Sequence, residues 1–261
     1  MFKEKKHLIF TLFVFLISCN YNSNQEKDSI YLTGVADDFD FETVRDIDGN
    51  LYKVVDIGKQ KWLAENLKTT RYNDGSPIPN IESRRQWRNL NNGAYCWYKN
   101  NYDKYGSTYG ALYNFYAVKT GKLCPVGWRV PTVNDFRLLI ETTGGIKNAG
   151  NSLKIQGNEY WLYNKPEVTN LSGFAALPGG YRSSGQESKG KDFSTVGYNG
   201  FWWSSTPYRR PPAHGTHHEF YDNSAYDFAL QGLLPATQNY DFHLYSGADM
   251  KYGFSVRCIK K

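Results

Sequence analysis

Four cysteines, five histidines and scattered acids carry whatever reactive chemistry this 261-residue chain has. Cys19, Cys96, Cys124 and Cys258 stand far apart with no Cys-x-x-Cys pair, so neither a zinc knuckle nor a dithiol redox centre is spelled out. Of His214, His217 and His218, two separated by three could take a metal if helical. Pro211, Pro212 and Gly215 oppose a helix there, so the three read as solvated loop side chains. Asp222, Asn223, Asp227, Asp241 and Asp249 supply oxygens of the kind calcium prefers, without the spacing of an EF-hand. A structural calcium is the one cofactor left open. Ser204 and Ser205 follow Trp203 without a Gly-x-Ser-x-Gly elbow, and Pro178-Gly179-Gly180 lacks the lysine and helix of a phosphate loop. Glu65, Asp135 and Glu141 are isolated acids. No catalytic constellation emerges, and the chain is expected not to be an enzyme.

The chemistry that does emerge is at the start. Lys3, Lys5 and Lys6 precede an apolar run from Leu8 to Ile17, which at ~1.5 Å per helical residue spans roughly half a bilayer core. Residues 1–18 therefore read as an export signal. Leu16-Ile17-Ser18-Cys19 resembles the lipobox of bacterial lipoproteins, which implies cleavage before Cys19 and acylation of its thiol. Asn20 follows rather than an aspartate, so the expected address is the outer membrane, with either its periplasmic or its outer side possible. Residues 19–42 are polar and aperiodic, a flexible tether. Asp28-Ser29-Ile30 fits a short bacterial O-glycan acceptor pattern, although an unmodified linker is the favoured reading. Residues 43–261 form the folded body, with no internal repeat or composition break.

The formal charge of +6 is mild and spread along the chain, and no basic stripe with interleaved aromatics appears. Nucleic acid is not an expected partner. With Cys19 lipidated, three thiols remain, enough for at most one internal bridge. Aromatics are abundant: 21 Tyr, 15 Phe and 7 Trp. Trp62, Trp128 and Trp203 sit among strand and turn apolars and read as core. The surplus of Tyr, Asn, Ser and Gly is what binding surfaces favour, because tyrosine offers contact area at low entropic cost.

The elements that position these residues centre on Tyr109–Ile140. Leu112, Phe115, Tyr116 and Lys119 recur at helical spacing, with Gly121 as the left-handed stop. A second helix begins after Pro131, with Thr132 as cap, Asp135 three residues on, and Phe136, Leu139 and Ile140 as its buried stripe, ending at Gly144-Gly145. Before this pair, Thr43–Leu67 reads as a hairpin or meander with strands at Leu51–Ile57 and Lys61–Leu63, and Glu82–Leu90 as a short amphipathic piece. After it, Gly150–Tyr163 and Gly173–Gly185 read as strand and turn, and Phe201–Trp203 as an apolar strand. In the last run Phe254, Val256 and Cys258 share an inward face.

Eight motifs, taken in order, resemble the Fibrobacter succinogenes major paralogous domain. They are Val44-x-Asp46-x-Asp48-Gly49-Asn50-x-Tyr52, Ile57-Gly58-x-Gln60-x-Trp62-Leu63-Ala64-Glu65-Asn66-Leu67, Ala94-Tyr95-Cys96-Trp97-Tyr98, Tyr109-Gly110-x-Leu112-Tyr113-Asn114, Cys124-Pro125-x-Gly127-Trp128-x-Val130-Pro131, Leu177-Pro178-Gly179-Gly180-Tyr181-Arg182, Trp203-Ser204-Ser205-Thr206 and Gly253-Phe254-Ser255-Val256-Arg257-Cys258. The family occurs in exported lipoproteins. Its centre and ending are similar to C-type lectin-like domains, including formylglycine-generating enzymes. The resemblance implies an α+β fold, with two helices packed on small antiparallel sheets with long loops. It also implies paired first and last strands and a Cys124–Cys258 bridge, while Cys96, in Ala-Tyr-Cys-Trp-Tyr, is as readily a buried free thiol as a bridged one. The paired active-site cysteines of the formylglycine enzymes are not reproduced. Nor are the Glu-Pro-Asn, Gln-Pro-Asp or Trp-Asn-Asp triplets with which lectins of that fold hold calcium and sugar.

The segment from Pro207 to Asp241 is longer than the family leads one to expect. Lying between two core strands, it is predicted to run over the surface. Tyr208, Arg210, Phe220, Tyr221 and Tyr226 are its candidate ligand-binding residues; packing of the aromatics onto the domain is the alternative. The expected function is non-catalytic recognition of a glycan or envelope protein by a lipid-anchored module. A structural or assembly role is the alternative, with a formylglycine-type oxidase third.

Overall fold

A computed structural model of the chain describes residues 41–185, 191–208, 224–232 and 242–261, which belong to one unit running from Asp40 to Lys261. Residues 1–40, with Cys19 and Ser29, and residues 186–190, 209–223 and 233–241 lie outside the described residues.

The first sheet starts from a turn that closes on its own aspartate. Asp46 Oδ1 accepts the N–H groups of Asp48 and Asn50, and its Oδ2 accepts the Asn50 amide and the Tyr52 hydroxyl. Gly49, at φ 84°, makes the left-handed corner. This sets the antiparallel pairing of β1 (Thr43–Arg45) with β2 (Leu51–Ile57), Val44 facing Tyr52. A second glycine, Gly58 at φ 61°, turns β2 into β3 (Gln60–Leu63), as the turn residues predicted. A Cβ on Gly58 would also stand 2.7 Å from the Thr142 methyl, so the turn and a helix above it need the same missing atom.

Next come α1 (Arg84–Arg88), β4 (Tyr95–Cys96), a short α2 (Ser107–Tyr109), β5 (Leu112–Tyr113) and α3 (Phe115–Lys119). The helix predicted from Leu112 therefore begins three residues late. Asn114 is the reason: it is extended, its Oδ1 accepts from both Ala117 N and Ala94 N, and it splits a periodic run into a strand and a helix. Gly121, at φ 70°, stops α3 as expected.

After β6 (Trp128–Arg129), α4 (Val133–Thr142) has the predicted start, a capping box between Thr132 and Asp135. Arg129 reinforces it with two bonds to the Asp135 carboxylate, 2.6 and 2.9 Å. Gly144 and Gly145, at φ 105° and 72°, do not lead into a loop. They turn the chain into α5 (Gly145–Leu153), whose last turn takes up the start of the 150–163 stretch read as strand and turn. Two left-handed glycines serve as stop and restart, and Ala149 and Leu153, four apart, give the new helix its buried edge.

β7 (Tyr181–Arg182) and β8 (Phe193–Ser194) form a small ladder. β9 (Asn199–Pro207), β10 (Ser224–Gln231) and β11 (Phe242–Asp249) form an antiparallel sheet with β10 in the middle. This corrects the surface reading of Pro207–Asp241: eight of its residues make the central strand, with Ala225 and Asp227–Leu230 buried. β10 supplies the partner edge that both β9 and β11 need.

The last strand, β12 (Ile259–Lys260), slots between β3 and β6, so the first sheet runs β1-β2-β3-β12-β6 and the two ends of the domain meet. Glu42 bridges Lys61 and Lys260 across that junction. Phe254, Val256 and Cys258 are buried as predicted, but so are Ser255 and Arg257, at 1% and 0% exposure. The run has no solvent face because it threads between layers, bonding to Tyr113 on one side and to Phe201 and Trp203 on the other. Cys258 bonds Cys124 (S–S 2.03 Å, Cα–Cα 5.9 Å), and Cys96 is a buried free thiol. The architecture is α+β: short helices among several small antiparallel sheets.

Candidate functional site

Of the five predicted ligand-binding residues, the structure brings two together. Tyr208, leaving β9, donates its N–H to Ser224 O, and its ring meets Tyr226 edge-on at 5.3 Å. Tyr226 sits at a bulge between Ala225 and Asp227. The Tyr208 ring crosses β10 to lie against Gly247, which has φ 97° and no side chain in its way. Both rings are half-buried against the sheet end. Arg210, Phe220 and Tyr221 lie outside the described residues, as do His214, His217, His218, Asp222, Asn223 and Asp241. Asp249 accepts the Lys251 N–H. Among the described residues no three His, Cys, Asp or Glu side chains cluster as metal ligands. Asp227 is 2% exposed with no cation beside it among the described residues, and burial pushes its carboxyl up to about 7.

A richer surface lies elsewhere, on three loops. The first carries Tyr98, Tyr102, Tyr105 and Tyr109, spaced four, three and four apart. It is wound irregularly, with a 3₁₀ turn at Tyr98–Asn100, a π turn at Tyr102–Gly106, then α2. Asn101 holds the π turn, its side chain accepting from Lys104 N and its carbonyl from the N–H groups of Tyr105 and Gly106. A Cβ on Gly106 would meet the Trp97 and Tyr102 rings at 2.7 Å, so only glycine lets those rings close over the turn. The second loop carries Glu159, Tyr160, Leu162 and Tyr163, and Asn164 pins it by donating to Ile155 O and Gly157 O. The third carries Phe193, Thr195 and Tyr198, and Gly197 O ties it to Leu162 N.

Ring contacts link the loops. Tyr98 meets Tyr105 at 5.1 Å and Phe193 at 5.3 Å, Tyr105 meets Tyr109 at 6.4 Å, Tyr109 meets Tyr160 at 6.4 Å, and Tyr163 meets Tyr198 at 5.8 Å. The outer members face solvent: Tyr102 is 46% exposed, Leu162 56%, Tyr198 40% and Tyr163 39%. Their neighbours are chargeable or polar, with Lys104 over the Tyr105 ring and Glu159 hydrogen-bonded to Tyr160. Burial raises the phenols of Tyr98 and Tyr109, and the Glu159 bond raises that of Tyr160, so each keeps its proton at neutral pH.

The same loops hold strain and stranded polar atoms. Lys99, Asn100 and Thr195 have φ of 52°, 54° and 62°, a region non-glycine residues avoid. Asn100 Oδ1, Asn164 Oδ1 and Thr195 Oγ1 are buried without a hydrogen-bond partner among the described residues. Such orphans cost about 1–3 kcal/mol each, and strained backbone of this kind clusters at active sites, ligand clamps and switch regions.

Two buried arginines from the sequence motifs hold this face in place. Arg257 donates Nε and Nη2 to Asn66 Oδ1 (3.2 and 2.8 Å) and Nη1 to Phe174 O, with its guanidinium 4.1 Å over the Phe174 ring. Burial pulls it down to about 9. Asn66 also accepts from Trp202 Nε1 and donates to Tyr109 O, anchoring the end of the first loop. Arg182 binds Asp192 and the carbonyls of Ile81 and Glu82, and Glu82 O also takes the Asn100 amide. Sequence reasoning missed this face. The four-three-four tyrosine spacing was its signal, obscured because no single regular helix produces it.

Comparison with curated proteins and with solved structures finds no match. Residues 55–260 match the sequence profile of the Fibrobacter succinogenes major domain, and with most of its length covered the chain belongs to that family.

Proposed function

We propose that the chain is a lipid-anchored, non-catalytic recognition module of C-type lectin-like design that binds a glycan through the three-loop tyrosine face. The observation that carries this reading is the coincidence, on the same loops, of linked half-exposed phenol rings, strained backbone and buried polar atoms lacking partners. Tyrosine faces stack on the apolar face of a pyranose ring, while Lys104, Glu159 and the phenol hydroxyls bond its hydroxyls. Acylation of Cys19 would hold the module at the outer membrane, and the 19–42 tether would let it reach its ligand. The thiols support a non-catalytic role: Cys124 and Cys258 are joined, and burial pushes Cys96 up to about 12, leaving it protonated and unreactive.

The test is binding of the Cys19→Ala chain, freed of its lipid, to an array of neutral and acidic polysaccharides. Tyr102→Ala combined with Tyr198→Ala should weaken binding at least tenfold, about 1.4 kcal/mol, at unchanged melting temperature. Retained binding in that variant, with loss in Tyr208→Ala or Tyr221→Ala, would move the site to the 207–241 segment. No glycan binding at all would favour a structural or assembly role.

A further inference from the structure

A polar cleft opens between α1, the loop after β7 and the turn before the C-terminal run, lined by Arg88, Asn89, Ser184, Gly185 and Lys251. Its walls are built. Gly185, at φ 90°, lies so close to the helix that a Cβ would stand 2.7 Å from the Arg88 Cβ, and Ser183 Oγ holds its N–H. Trp87 Nε1 donates to Lys251 O at 2.7 Å, and Asp249 takes the Lys251 N–H, fixing the opposite wall. Arg182 and Gly253 exchange both backbone bonds beneath.

Charge is unbalanced across it. Among the described residues neither Arg88 nor Lys251 forms an ion pair, whereas nearby Asp192 is engaged by Arg182 and Asp249 takes the Lys251 N–H among its contacts. Beyond Asn89 the cleft continues along α1 as a groove lined by Ile81, Ser83, Arg85, Gln86 and Leu90. The groove adjoins the tyrosine face through Glu82, whose carbonyl takes the Asn100 amide.

From this geometry we infer that the trough along α1 binds an acidic glycan. Its carboxylate or sulfate sits between Arg88 and Lys251, and a neighbouring sugar lies over Ile81 and Leu90. Two cations give charge-assisted bonds to an oxyanion, and Asn89 and Ser184 beside them suit adjacent hydroxyls. Among the described residues the lining of the cationic lobe is polar or glycine throughout, which disfavours a lipid with its acyl chain. This inference rests on the glycan-binding reading and names its ligand class.

The test is titration of the full Cys19→Ala chain with an oligogalacturonate, a sulfated oligosaccharide and a neutral oligosaccharide of equal length, at low and high salt. Arg88→Gln with Lys251→Gln should lose at least tenfold affinity for one of the acidic ligands, and with it most of the salt dependence. Neutral binding and melting temperature should stay unchanged. The arm that responds separates carboxylate from sulfate. Equal affinity of the double variant and the parent for both acidic ligands overturns the inference. So does Arg88- and Lys251-dependent binding to phosphatidylglycerol vesicles without acidic-glycan binding. Tyrosine-dependent neutral binding with no acidic preference would sink the inference and leave the broader reading standing. Acidic binding indifferent to Tyr102→Ala would uphold the trough and sink the tyrosine face.

Discussion

Asp227 offers a direct test of how this fold handles a buried charge. It sits on the central strand of the second sheet, opposite Trp203 and Tyr245, and is 2% exposed without a cation among the described residues. Burial raises its carboxyl from 3.8 to about 7. The folded state therefore binds the proton more tightly than the unfolded chain. The penalty is full above pH 7, is relieved as pH falls through 7, and is gone near the unfolded value of about 4. A rise of roughly three units at ~1.36 kcal/mol each bounds the penalty at about 4 kcal/mol. At ~2–4 °C per kcal/mol for a domain of this size, that is on the order of 10 °C. Asp227→Asn keeps the shape and removes the charge. Scanning calorimetry from pH 4 to 8.5 should show the variant melting higher than the parent at pH 8.5, with the gap narrowing below pH 7 and closing near pH 4. Every other titratable group is common to both proteins, so the difference between the profiles isolates Asp227. Parallel profiles would mean that a partner or water neutralises the carboxylate, and the reasoning from burial would fail.

Three further outcomes follow from the geometry. Cys258→Ser opens a bridge spanning 134 residues and should cost about 5 kcal/mol by chain entropy, read as a lower denaturant midpoint. Asn66→Leu strips Arg257 of the acceptor it uses twice and should cost about 3–5 kcal/mol by denaturant titration; a loss under 1 kcal/mol would mean Phe174 O and the aromatic faces suffice. Cys19→Ala should abolish labelling by an alkyne fatty acid in cells, and equal labelling of both forms would remove the anchor.

What could be read from the chain beforehand was what its near neighbours decide. Thr132 and Asp135 are three residues apart and cap α4 as their types require. Gly49, Gly58 and Gly121 are left-handed where turn chemistry placed them. Leu112 fitted a helix by period, and only Ala94, far back in the chain, shows through Asn114 that it belongs to a strand. Arg257 looked like a surface residue of an alternating strand, because its acceptors stand 191 and 83 residues away. The second sheet was half visible: Phe201–Trp203 announced itself, but β10 mixes Tyr, Asp and Gln among its apolars, and only its two neighbours make it central. The tyrosine face was legible as spacing and illegible as place. Its three loops meet through contacts such as Tyr109–Tyr160 and Leu162–Gly197 that no local rule predicts.

The late position of β12 has a consequence for the order in which the domain can form. β3 and β6 do not pair with each other; each waits for Ile259, and Cys124 waits for Cys258. A chain emerging amino end first therefore exposes the inner faces of the first sheet until the final residues of the domain arrive. Losing even the last four would leave two strand edges open and one thiol single. The domain thus tests its own completeness: a fragment cut short by premature termination or by a protease cannot close, and stays a substrate for degradation instead of reaching a half-working fold.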